Sequence, residues 1–165
     1  MNLAAPRAPL WRRLAAMMYD FMAVVAIVML AMGLALGVVA GLQALGLLAT
    51  EGYLDTADYV QKHAIWFQLY LVVCVFGFYV YFWCKGGQTL GMRAWRLLLV
   101  RDDGRLLKPG QALARAILSL AGLGNLWLII RWGKGLALQD QLTQSQMLVL
   151  TKEQSNLRNL HQTAR

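Results

Sequence analysis

Apolar residues run almost without a break from Leu14 to Leu48. A membrane core takes about 20 helical residues, so this stretch predicts a spanning helix that tilts or projects beyond the core. A basic start (Arg7, Arg12, Arg13) precedes it. The apolar part is far too long for the h-region of a signal peptide, so the reading is an uncleaved anchor. Gly33, Gly37 and Gly41 recur at four-residue spacing and predict a flat helix face where another helix can approach. Packing against the second span is the favoured use of that face, self-association the alternative. Thr50 to Lys62 is a polar loop carrying Glu51, Asp55 and Asp58. Ile65 to Trp83 forms a second span, with Trp66, Phe67 and Tyr70 at one end and Tyr79, Tyr81, Phe82 and Trp83 at the other, the interfacial aromatic pattern.

The pattern then changes. Lys85 to Arg115 is basic, and Asp103-Gly104 within "RLLLVRDDGRLLKPG" is a turn signal between short apolar pieces. A small interfacial hairpin or an irregular basic loop is expected. Ala116 to Trp132 is apolar again but near the lower length limit for a span, and its middle reads "AGLGN", a poor helix. Re-entrant is favoured over spanning, because a crossing would put Arg131, Lys134 and the basic tail on the wrong side. Leu136 to Leu150 carries one more acid, Asp140, and residues 151–165 read as a polar cytoplasmic tail. The fold class expected is an all-α membrane protein: two long transmembrane helices plus the third segment. Residues 10–150 form one membrane domain after a short cytoplasmic segment, residues 1–9.

Composition sharpens the class. The chain of 165 residues is 59% hydrophobic and 15% charged, where a soluble domain has about 45–50% and roughly 25%. Its mean hydropathy is +0.48. The net charge of +8 does not lie in a tract or stripe, which argues against nucleic acid. Basic residues flank the apolar runs while the 50–62 loop is acidic. The orientation that follows is N-terminus inside, 50–62 outside, basic loop inside. Cys74 and Cys84 are separated by about 15 Å of helix, too far for a disulfide within it. His63 and His161 have no partner at ligand spacing, so no metal site is expected. No phosphate loop and no nucleophile with its base are present, so no catalytic residue and no cofactor are expected.

Three residues stand apart. Arg13 begins the first span, Asp20 lies two helical turns deeper on nearly the same face, and Asp140 follows the third apolar segment. This arrangement resembles the RDD family of bacterial membrane proteins, which is named for one arginine and two aspartates in such places. The loop "GGQTLGMRAWRLL" likewise resembles the family's Gly-Gly-x-Thr-x-Gly loop, through Gly86, Gly87, Thr89 and Gly91. The literal Arg101-Asp102-Asp103 falls in the turn and is not that signature. Gln139 stands where the family often has histidine, and "LTQSQ" replaces a small-Gly-Thr step. The resemblance implies a multi-pass protein of the bacterial cytoplasmic (inner) membrane with no settled activity.

An ionised aspartate at membrane depth costs about 2.5–3.5 kcal/mol or more, so Asp20 must be shielded. The expected arrangement is a charge network of Arg13, Asp20 and Asp140 that clamps the first span to the terminal segment. Its partners would be the lipid bilayer and either a second copy or a larger membrane complex. The alternative function is cation/proton antiport by an oligomer using Asp20.

Overall fold

The computed structural model describes residues 5–48, 51–119 and 137–156. The chain is mostly helical. Among the described residues it has two helices long and apolar enough to cross a membrane: α1 (Leu10–Ala44) and α3 (Ala64–Lys85). In their most apolar windows only 11% and 6% of residues are buried. A core helix of a soluble protein would bury its apolar stripe; these helices keep theirs exposed, which lipid can cover. The described residues divide into two compact units, Ala23–Gly77 and a second made of residues 1–22 with Phe78–Arg165.

The unit Ala23–Gly77 holds the larger part of α1, the short helix α2 (Thr56–Lys62) and the first part of α3. Helix α1 is closed by Gly46, whose φ of +68° is left-handed, with Leu47 N–H bonding back to the Leu42 carbonyl at 2.9 Å. That is the Schellman ending that glycine favours. Asp55 caps α2 by accepting from Asp58 N–H at 2.8 Å. Lys62 and Asp58, one turn apart, pair at 2.9 Å and hold the Asp58 carboxyl below the usual carboxylate range. Tyr70 donates to the Ala31 carbonyl at 3.3 Å, and Thr56 donates to Gln43 at 2.8 Å.

The glycine face corrects an expectation. A methyl group built on Gly33, Gly37 or Gly41 would meet nothing within 4 Å. These glycines do not pack against the second span. The reason is rotational: the buried positions Ala31 and Val39 each precede a glycine by two residues, about 200° round the helix, on the opposite side.

The other unit contains the start of α1, the end of α3, α4 (Leu90–Ala94), β1 (Leu97–Arg101), α5 (Pro109–Leu118), α6 (Leu138–Leu142) and β2 (Ser145–Val149). Its centre is an antiparallel pair with Leu99 opposite Met147. The N-terminal segment lies along β2: Ala8 N–H bonds the Met147 carbonyl at 2.8 Å, and Val149 N–H bonds the Pro6 carbonyl at 2.9 Å. Leu97 to Val100 are fully buried on both faces, and Leu98, Val100, Leu148 and Leu150 form one apolar cluster.

The strand pair is an addition to the expected helices and corrects the hairpin. The turn is present: Gly104 has φ +78° and Gly104 N–H reaches the Arg101 carbonyl at 2.9 Å. Its two arms do not continue as a ladder, because β1 takes its partner from the far end of the chain. The third apolar segment lies mostly outside the described residues; only its start, to Ser119, is described, within and just after α5. The far end of the tail, 157–165, is likewise outside them. At the start of the tail Thr151 and Gln154 form a capping box, with bonds of 3.1 and 3.2 Å.

Candidate functional site

Two buried polar clusters lie within the sheet-containing unit. The first is centred on Asp140. As the third residue of α6, it turns back to accept from Ala137 N–H at 3.2 Å, which fixes its rotamer. Oδ2 also takes Arg13 Nη2 at 2.7 Å, and Oδ1 takes Arg115 Nη2 at 2.5 Å. All three side chains are buried, with 2% or less of each exposed. Arg13 is tied further by Nε to the Ala8 carbonyl at 3.1 Å, and Arg115 by Nη1 to Ser145 Oγ at 2.5 Å. Ser145 Oγ is in turn 2.7 Å from Thr143 Oγ1. The Arg115 guanidinium also stands over the Trp83 ring, 5.8 Å from its centroid.

The electrostatics are unequal: one carboxylate serves two guanidiniums. Burial pushes the Asp140 carboxyl up, but the charges of Arg115 and Arg13 and their hydrogen bonds outweigh it, and Asp140 lies below the usual carboxylate range. Burial pulls Arg115 below the usual guanidinium range, against Asp140, and Arg13 adds to the fall. Arginine does not give up its proton under ordinary conditions, so the cluster holds a net single positive charge.

The second cluster is centred on Asp20. It is 4% exposed. Thr89 Oγ1 donates to its Oδ2 at 2.6 Å and Gly91 N–H donates to its Oδ1 at 2.8 Å. Thr89 is the N-cap of α4, so Asp20 satisfies an orphan N–H of that helix's first turn. Here the expected network is corrected. Arg13 and Asp140 meet, but among the described residues Asp20 forms no ion pair with either. Asp20 is two turns further along α1, beyond Arg13's reach to Asp140, and neutral donors shield it instead of a cation.

The glycine loop explains how these groups reach one another. Gly87 has φ +65°, and a Cβ on it would stand 2.6 Å from the Leu99 carbonyl oxygen. Gly87 itself accepts from Leu99 N–H at 2.8 Å. A Cβ on Gly91 would collide with the Ala16 carbonyl of α1 and crowd the Asp20 carboxyl at 3.0 Å. Gly86 continues the end of α3, bonding to the Phe82 carbonyl at 3.0 Å. The glycines therefore bring α4 against α1 closely enough for Thr89 and Gly91 N–H to reach Asp20.

Sequence reading missed Arg115, Ser145 and the Thr89–Asp20 bond. A signal for Arg115 was present. It shares a helix face with Ala112 and Ala116, so an arginine sits in phase with the small buried residues of α5.

An apolar two-helix architecture, an Arg–Asp–Arg cluster and an aspartate clasped by a Gly-Gly-x-Thr-x-Gly loop define a small helical membrane protein. The sequence profile of the RDD family matches residues 7–143, and the chain belongs to that family. No curated protein and no solved structure matches it.

Proposed function

We propose that this chain is a non-catalytic inner-membrane protein, N-terminus inside, whose sheet-containing unit lies on the cytoplasmic side and serves as a component of a larger membrane assembly. The observation that carries this reading is the saturation of its buried acids. Asp140 accepts from Arg13, Arg115 and Ala137 N–H, and both oxygens of Asp20 accept from Thr89 and Gly91. Groups so engaged hold elements together. The pairing of β1 with β2 and of Arg115 with Asp140 supports one side of the membrane for residues 97–118 and 138–149. The basic charge of the 85–115 region supports the cytoplasmic side.

The antiport alternative needs a carboxylate free to exchange its ligand, and the donors on Asp20 weigh against that. Two measurements separate the readings. Native purification in mild detergent is expected to give a species containing other chains, and Asp20→Asn is expected to lower its thermal stability. A chain that purifies alone and exchanges cations for protons in vesicles, with exchange lost and stability kept in Asp20→Asn, would overturn the assembly reading in favour of antiport.

A further inference from the structure

A cleft of about 200 Å³ opens on the sheet-containing unit, lined by Arg12, Tyr19, Ala94, Trp95 and Arg96. It is separate from both buried clusters. Two cations face it, and among the described residues neither has an acidic partner. Its wall is aromatic. The Trp95 ring meets Trp11 edge-on at 5.5 Å and Tyr19 at 6.4 Å. Arg12 lies over the Trp11 ring at 5.1 Å. The Trp95 indole N–H is buried and has no acceptor among the described residues.

The backbone at Arg96 is unusual. Arg96 follows the C-cap of α4 with φ +54°, the left-handed conformation that this position ordinarily gives to glycine. Bonds on both sides hold it there, from its own N–H to the Arg93 carbonyl at 3.1 Å and from Leu150 N–H to its carbonyl at 2.8 Å. An arginine kept where glycine would be unstrained points to a use for its side chain.

The level of the cleft narrows the ligand. Helix α1 has 35 residues and Arg12 is its third, whereas a hydrocarbon core takes about 20. In the topology proposed above, on which this inference rests, the basic start of α1 stands at headgroup level. Trp11 and Tyr19 beside the cleft are more than half exposed, as an interfacial aromatic belt would be. Guanidinium forks match phosphate oxygens in pairs, and aromatic faces suit the glycerol and upper acyl region.

We propose that this cleft binds the phosphate of an anionic glycerophospholipid, held between Arg12 and Arg96 with Trp95 beside it. The test uses the full chain in nanodiscs of equal phosphatidylglycerol and phosphatidylcholine, with retained lipid counted by native mass spectrometry. Wild type is expected to retain phosphatidylglycerol over phosphatidylcholine by roughly ten-fold or more. R12Q/R96Q is expected to bring the ratio near one, and R105Q/K152Q, which removes two exposed charges elsewhere, to leave it unchanged. Equal loss in both double variants would overturn the site in favour of bulk charge, as would full retention in R12Q/R96Q.

A second measurement needs no variant. Phenylglyoxal modification of Arg12 and Arg96 should be slower in phosphatidylglycerol discs than in phosphatidylcholine discs. No difference would overturn the proposal. Protection by millimolar inorganic phosphate in phosphatidylcholine discs, equal to that given by phosphatidylglycerol, would overturn the lipid as the source of the phosphate.

Discussion

At the scale of single residues, the arithmetic of the Asp140 cluster sets an order of importance. Removing either arginine leaves one guanidinium paired with one carboxylate, whereas removing the carboxylate leaves two buried cations facing each other. Orphaning a buried charge costs about 3–5 kcal/mol. Asp140→Asn is therefore expected to lower the melting temperature in detergent by roughly 6–20 °C, more than Arg13→Met or Arg115→Met does. Acid should reproduce the loss. The folded pKa of Asp140 is depressed, so its contribution is fully present above the unfolded value near 4 and disappears as pH falls through the folded value. A melting series from neutral pH downwards should thus fall below about pH 4 in wild type and show less of that fall in Asp140→Asn. Arg13→Ala and Asp20→Asn, which sit in separate clusters, should add within about 0.5 kcal/mol. Asp20 was legible in the sequence because a charge in an apolar run has few ways to be tolerated, and Arg13 and Asp140 because their order and spacing around it resemble the RDD pattern. The partner of Asp20 was not, because Thr89 and a backbone N–H carry no charge to mark them.

At the scale of elements, two sets of glycines that look alike in sequence behave differently. Gly91 permits α4 to approach α1, while Gly37 faces open space. Gly91→Ala should break the Asp20 clasp and lower the melting temperature by several degrees. Gly37→Leu should leave it unchanged or raise it, because leucine is the better helix former by about 1 kcal/mol. A fall with Gly37→Leu as large as with Gly91→Ala would contradict the open face. Four-residue spacing identifies a face but not what covers it, so the spacing alone was a poor guide here. The strands were hidden for a related reason. Leu97 to Val100 are buried on both faces and show no alternation, so they resemble the apolar runs around them. Their partner, β2, begins 44 residues after β1 ends, beyond any turn signal.

At the scale of the whole molecule, the charge pattern and the strand pairing make one prediction about sidedness. In a chain with Cys74 and Cys84 replaced by serine, Glu51→Cys should react with an impermeant maleimide added outside intact cells. Arg105→Cys and Glu153→Cys should react only after the membrane is opened. Labelling of Glu153→Cys from outside, with Arg105→Cys protected, could not be reconciled with β1 paired to β2. The two long helices were readable because length and hydropathy are properties of contiguous sequence. The sheet-containing unit was not, because it is assembled from three separated stretches: residues 5–22, 78–119 and 137–156. That assembly also imposes a timetable. Arg7 pairs along Leu148 and Arg13 bonds Asp140, so residues 7–13 wait for residues 140–148 to be made. At about 5–20 residues per second, the delay is on the order of ten seconds. During it α1 is already made while its guanidinium has no carboxylate and β1 has an open edge. A nascent chain stalled before Ala137 should therefore be inserted but digestible near its N-terminus, and should become resistant once ribosomes pass Leu150.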